Sequence, residues 1–223
     1  MSFFQNTCKP EGLGGKIMVT TMNIGGHAAL AKWGLSHLAL ESDLNILEIG
    51  CGGGANVAQL LKRCPDGTVT GVDYSEVSVE KSKHVNAKAI RGGRCNIQCE
   101  DVRELSFAGC TFDLATAFET IYFWPGLTES FAQVHRILRD GGRFFICNES
   151  DGDNPADQKW EQMIQGMKIY KENEIVASLK QAGFSNVITH RNPEKHWICF
   201  IAENRADDYR NCREERQKEG AAV

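Results

Sequence analysis

The chain has no apolar run of about 18 residues, so no membrane-spanning helix is expected. Its start, MSFFQNTCKPEGLGGKIM, has no basic segment followed by a long apolar stretch. No signal peptide is therefore expected, and the reading is of a cytoplasmic protein. Basic excess is also missing: 25 Lys and Arg against 29 Asp and Glu leave a net charge of −4. That argues against non-specific nucleic-acid binding, which needs cationic surface to displace counterions. The nine cysteines form no CxxC pair and no zinc-type spacing. Their odd number and scatter over Cys8, Cys51, Cys64, Cys95, Cys99, Cys110, Cys147, Cys199 and Cys212 disfavour a disulfide framework, so they are read as reduced thiols. No internal repeat is visible. What remains is 223 residues, 42% hydrophobic and 24% charged, the size and balance of one globular α/β domain with additions.

Residues 1–24, polar and glycine-rich, read as loop. Residues 25–40, GGHAALAKWGLSHLAL, carry Leu30, Trp33, Leu35 and Leu38 at helical spacing, weakened by Gly34. NILEIG is a buried strand, GANVAQLLKRC a helix, and the PDG turn leads to the strand TVTGVDYS. A helix is predicted over 76–90, strands at CNIQCED and FDLATAFE, and a helix over TESFAQVHRILRD stopped by Gly141 and Gly142. RFFICNE is a fifth strand; helices follow at 157–168 and 172–182. AGFSNVITHR and KHWICFIAEN close the domain as a hairpin, because no helix fits between them. Alternating strands and helices predict a doubly wound parallel sheet, and the closing hairpin an antiparallel strand at one edge. The tail, RADDYRNCREERQKEGAAV, is densely charged and reads as a solvated helix or as disorder.

The chemistry concentrates at the carboxyl ends of the strands. Gly50, Gly52, Gly53 and Gly54 lie where the first strand meets its helix. Glycine there permits positive φ and close approach of a ligand, and a helix start favours an anionic group. Gly50-x-Gly52-x-x-Ala55 also fits the dinucleotide fingerprint, a weak signal alone. Three acids sharpen it. Glu48 could accept from a ligand ammonium, Asp73 could take both ribose hydroxyls, and Asp101 could accept from an exocyclic amine. The competing roles are local capping for each, with Ser75 available as the cap beside Asp73. Amino acid, ribose and adenine together describe S-adenosylmethionine.

At this point the chain resembles a class I S-adenosylmethionine-dependent methyltransferase of the small-molecule, ubiquinone/menaquinone-type group. The resemblance rests on ILEIGCGGG, VTGVDYS, CNIQCEDVREL, FDLATAFETIYFWP, QVHRILRDGGRFFICNE and LKQAGFSNV, in the family's order over roughly residues 44–203. It implies a Rossmann-like seven-stranded sheet with an antiparallel seventh strand. It divides the chain into an N-terminal helical cap (1–40), a cofactor-binding domain (41–204) and a charged tail (205–223). It implies cofactor contacts from Glu48, Gly50, Cys51, Gly52, Asp73, Tyr74, Asp101, Val102 and Glu119, with S-adenosylhomocysteine as the product. The group often carries histidines shortly after the fourth strand; this chain has Tyr122, Phe123 and Trp124 there instead.

Methyl transfer is an in-line displacement, and a base is needed only when the nucleophile must lose a proton. The candidates are Glu119 and Tyr122 after the fourth strand, and His27 after a glycine pair that would hinge a lid. Packing of Tyr122, Phe123 and Trp124 on the helix near Leu127 competes with the aromatic reading, and a capping or surface role with that of His27. Met22 and Trp33 read as lid core. Asn148 and Glu149 lie within reach on the same rim. Asp151-x-Asp153-Asn154 hints at a calcium loop, but Ala156 and Gln162 stand where its glycine and bidentate glutamate belong. The remaining histidines, at 37, 84, 135, 190 and 196, have no metal spacing and read as structural; no metal is expected. The reading is a methyltransferase for a small-molecule acceptor, monomeric or homodimeric. Alternatives are a non-catalytic S-adenosylmethionine-binding domain and an NAD-type oxidoreductase.

Overall fold

The computed structural model describes residues 10, 12 and 26–205. The predicted Met22 lid position and the charged tail after Arg205 lie outside them. Seven strands, β1 (Asn45–Ile49), β2 (Thr68–Asp73), β3 (Cys95–Cys99), β4 (Phe112–Phe118), β5 (Leu138–Asn148), β6 (Ser185–Asn192) and β7 (Trp197–Glu203), form one sheet in the order β3-β2-β1-β4-β5-β7-β6. All neighbours are parallel except β7, which runs antiparallel to both β5 and β6. The antiparallel strand is thus not at the edge, as the hairpin reading had it. It is inserted between β5 and the edge strand β6.

The helices are α1 (Gly26–Leu35), α2 (Ala55–Arg63), α3 (Glu76–Val85), α4 (Ala87–Arg91), α5 (Leu127–Ile137), α6 (Asp157–Met163) and α7 (Glu172–Gln181). The sheet separates two cores. Leu47, Ile49, Phe144 and Ile146 face the side of α5 and α7, where Phe131, Ile175 and Leu179 meet them. Ile46, Phe145 and Cys147 face α1, α2 and α3, against Leu30, Leu60 and Val79. Burial of both faces explains why the strands read as continuous apolar runs rather than alternating ones. Each fully buried Phe or Leu contributes roughly 1.5–3 kcal/mol relative to exposure.

Three local readings are corrected. The helix over 128–140 ends at Ile137, and Leu138 enters β5 beside Phe112. A register shift between Phe112 and Leu114 takes up the Gly141 turn at φ +73°. The helix over 76–90 is two helices broken at Asn86, whose buried amide serves a neighbouring loop instead. Finally, Cys110 is disulfide-bonded, a pairing that local spacing does not announce. Cys51, Cys64, Cys95, Cys99, Cys147 and Cys199 are free thiols. Among the described residues, no helix is long and apolar enough to cross a membrane.

Candidate active site

β1 is flanked by β2 on one side and β4 on the other, so the direction of winding reverses at its carboxyl end. In open α/β sheets that crevice is where ligands bind. A cavity of about 940 Å³ opens there. It runs from the glycine loop, past the ends of β2 and β3, to the turns after β4 and β5 and the start of α1.

The loop is held by its own backbone. The Gly50 and Cys51 N–H groups both donate to the Val72 carbonyl, at 2.8 and 2.9 Å. Gly52 N–H donates to Asp73 Oδ2 at 2.9 Å, and Ser75 N–H to Asp73 Oδ1 at 2.9 Å. Asp73 therefore ties the loop to the end of β2 while still lining the cavity. Its burial raises the carboxyl's pKa. Ser75 caps α3 through a bond from Ser78 N–H, and its hydroxyl donates to the Pro10 carbonyl at 2.7 Å. Gly54 (φ +82°) precedes α2 and offers no side-chain cap, so first-turn N–H groups of α2 are left for a ligand anion. The buried Asn86 amide donates to the Gly54 carbonyl and to the Ser82 carbonyl, each at 3.0 Å. Asn86 went unmarked in the sequence; a lone Asn inside a helical pattern was its only signal.

Cys51 lines the cavity, yet its side chain is buried in the core behind the loop. Burial and the nearby Asp73 push its thiol well above the usual range, so it stays protonated. Glu48 does not border the cavity. It is wholly buried, hydrogen-bonded to the Thr116 hydroxyl and to the Asn56 side chain, and its Oε1 has no hydrogen-bond partner. Burial pushes its carboxyl up to about 8. Tyr74, Asp101 and Val102 line the far end of the cavity. Both oxygens of Asp101 accept from the Arg103 guanidinium, at 3.0 and 2.6 Å, which lowers the Asp101 pKa.

The other end gathers residues from three elements. Glu119, in the turn after β4, has a left-handed φ of +58°, and its N–H donates to the Cys147 carbonyl at 2.9 Å. Its Oε2 pairs with His27 Nδ1 from α1, and the pairing raises the His27 pKa. Glu149, just past β5, opens to the cavity beside them. Crowding by protein and the Glu119 carboxylate raise its carboxyl to about 7. His27 and Glu119 meet across a separation of 92 residues in the sequence.

The aromatic segment divides. Tyr122 is buried, and its hydroxyl accepts from Ser150 N–H at 3.2 Å. Burial holds the phenol neutral by raising its pKa well above 10.0. Trp124 packs on Phe131 of α5 with ring centroids 5.9 Å apart, so the packing role applies to it. Trp33 packs on Trp197 at 5.8 Å. Asp151 and Asp153 both pair with Arg191, at 2.8 and 2.9 Å, which ties the loop after β5 to β6.

A family model described as a methyltransferase domain matches residues 46–142. The chain is 25% identical over 154 residues to the methyltransferase phqN of Penicillium fellutanum, covering 65% of this chain and 47% of that one. It is 27% identical to an O-methyltransferase of Pyrenophora dematioidea (67% and 57% covered), and 23% identical to the sterol 24-C-methyltransferase erg-4 of Neurospora crassa (75% and 47%). The chain thus spans about half the length of the curated relatives it matches. The fold is similar to that of an S-adenosylmethionine-dependent methyltransferase from Aquifex aeolicus, at TM-score 0.70 and 15% identity, covering 84% of this chain and 97% of that one. It is also similar to a chain in the complex between the Haloferax volcanii Trm112 methyltransferase activator and a methyltransferase, at TM-score 0.77 and 15% identity, covering 85% and 94%.

Proposed function

We propose that this chain, which belongs to the class I S-adenosylmethionine-dependent methyltransferases, moves a methyl group from S-adenosylmethionine to a small-molecule acceptor. One observation carries the reading: a single cavity joins the glycine loop and Asp73 to His27, Glu119 and Glu149. Relatives named as O-methyltransferases and sterol C-methyltransferases support a small acceptor. They give the NAD-type alternative no support.

The residues fit the cofactor. A Cβ placed on Gly52 would meet nothing within 4 Å, so the backbone there is bare toward the cavity. The uncapped start of α2 suits the methionine carboxylate, and Asp73 the ribose hydroxyls. Tyr74, Val102 and Asp101 border the adenine end, where Arg103 already holds the Asp101 carboxylate. Glu48, behind the wall, holds the start of α2 through Asn56.

Bound S-adenosylmethionine supplies an electrophilic methyl group on a positively charged sulfur. The protein's part is alignment and exclusion of water. Glu119 and Tyr122 border the acceptor end with fixed side chains, one held by His27 and the other by Ser150. The His27–Glu119 pair accepts the proton of a protic acceptor.

A thermal-shift comparison of S-adenosylmethionine, S-adenosylhomocysteine, NAD and NADP tests the cofactor. A ligand at about 100 times its Kd adds roughly 2.7 kcal/mol, a shift of several degrees. The S-adenosyl pair alone is expected to stabilise the wild type, and Asp73→Ala to lose most of that shift. Stabilisation by NAD alone, or an undiminished shift in Asp73→Ala, overturns the reading.

A further inference from the structure

We propose that His27, Glu119 and Glu149 form a binding site for one divalent first-row transition-metal cation at the acceptor end of the cavity. One ligand atom from each lies within 4.8 Å of the other two. They come from the start of α1 and from the turns after β4 and β5, three separate segments of the chain. Donors bind such cations at about 2.0–2.2 Å, so the three groups would have to draw in toward a shared ion.

A second, independent observation points the same way. Glu119 Oε1 is buried without a fixed donor, and the Glu149 carboxyl shares a hydrogen bond with Glu119 only while it holds a proton. Buried carboxylate oxygens are nearly always satisfied, and one left without that proton calls for an ion or another donor. His27 itself is the one basic side chain that answers the two carboxylates among the described residues lining the cavity. Among the described residues lining the cavity, Arg103 is the only Lys or Arg, and it is committed to Asp101 at the opposite end.

The donor set selects the class of ion. Magnesium and calcium take oxygen ligands, whereas imidazole with carboxylates suits manganese, iron, cobalt or zinc. Three protein ligands leave an open coordination position facing the cavity, as in catalytic rather than structural metal sites. Resting on the proposed function, that open position receives an oxygen of the acceptor. The metal site itself stands without that function.

The test uses the full chain stripped with a chelator and then dialysed against Mn²⁺, which favours nitrogen and oxygen donors over the free cysteines. Bound manganese is counted by elemental analysis and by its electron paramagnetic resonance signal. The expected result is about one ion per chain, weakened about tenfold or more in both Glu149→Gln and His27→Ala. Circular dichroism checks that the variants fold. Sub-stoichiometric binding in the wild type, or equal binding in folded variants, overturns the site. S-adenosylmethionine stabilisation is measured on the same samples. Its loss with manganese still bound refutes the cofactor reading and leaves the metal site standing; its retention without manganese does the reverse.

Discussion

Two residues apart, Gly50 and Gly52 have different neighbours. A Cβ on Gly50 would lie 2.2 Å from Thr120 Cγ2 and 2.9 Å from Thr120 Cβ, at φ +76°. Thr120 cannot move away freely, because its hydroxyl donates to the Ile49 carbonyl at 3.3 Å. Gly50→Ala should therefore destabilise the free protein by roughly 2–4 kcal/mol, from overpacking plus backbone strain. Gly52, at φ +47°, has open space where its Cβ would go. Gly52→Ala should lose only about 1–2 kcal/mol for the left-handed backbone. Its methyl would project into the cavity and weaken S-adenosylmethionine binding about tenfold or more. Melting curves with and without the cofactor separate the two; equal effects on stability would mean that the loop does not present Gly52 to the ligand. Glu48 makes the opposite case, a polar residue that the sequence offered to a ligand and the fold buries. Its carboxyl titrates at about 8 in the fold against 4.5 in an open chain. Between those values the folded protein keeps a proton that the unfolded chain has released, so this group's contribution falls as pH rises. Glu48→Gln should match the wild type near pH 4 and exceed it by a few kcal/mol near pH 8, at about 1.4 kcal/mol per tenfold in proton affinity. Urea unfolding at both pH values checks this. A difference that does not vary with pH would show Glu48 to be charged in the fold.

At the scale of the element, strand and helix identities were legible because apolar runs of five or six residues alternate with helical periodicity. The errors fall where a side chain or a neighbouring strand overrides local pattern. Periodicity carries the helix on to Asp140, but Leu138 pairs with Phe112 and joins β5. Leu, Arg and Asp are compatible with either state, so only the neighbouring strand decides. The hairpin was legible from the missing helix between its strands. The place of β7, one strand in from the edge, was not, because strand order is set by packing rather than by local composition. Asn86 is the instructive case. It ends α3, and its amide reaches two carbonyls, one of them in the glycine loop 32 residues away. Removing it takes the second donor from each of the two carbonyls, which keep only the Ala58 and Asn86 backbone N–H groups. Asn86→Ala should cost roughly 1–3 kcal/mol and weaken S-adenosylmethionine binding beyond what the stability loss explains. Calorimetric titration at a temperature where the variant is fully folded would decide; unchanged affinity would make Asn86 a helix stop and nothing more.

For the whole molecule, the cofactor half of the site was legible because its parts sit at the ends of successive strands, in motifs a few residues long. The acceptor half was not. His27 and Glu119 are 92 residues apart, and only the docking of α1 across the sheet brings them together. The same helix is pinned at its other end. Trp33 packs on His37 at 5.0 Å and on Trp197 at 5.8 Å, and the His37 ring stacks on His190 of β6 at 4.2 Å. Lys195 lies over the Trp197 ring, so the patch already carries a cation. Burial, and then the facing His190, lower the His37 pKa. His37 Nε2 is buried without a hydrogen-bond partner, which leaves a proton there poorly accommodated. The unfolded chain takes up that proton near 6.5 and the fold only at lower pH, so stability at this patch is present above 6.5 and falls as pH drops below it. Acidification from about pH 7.5 to 5.5, across the imidazole range, should therefore loosen α1 from β6 and β7. Amide protection in residues 26–35, taken relative to the intrinsic exchange rate at each pH, should fall more in the wild type than in His37→Phe, which keeps the stacked ring and removes the proton. Since α1 also carries His27, the same acidification should weaken whatever occupies the acceptor end, through a contact on the far side of the helix. Equal loss of protection in both proteins would place the sensitivity elsewhere and detach the edge hairpin from the site.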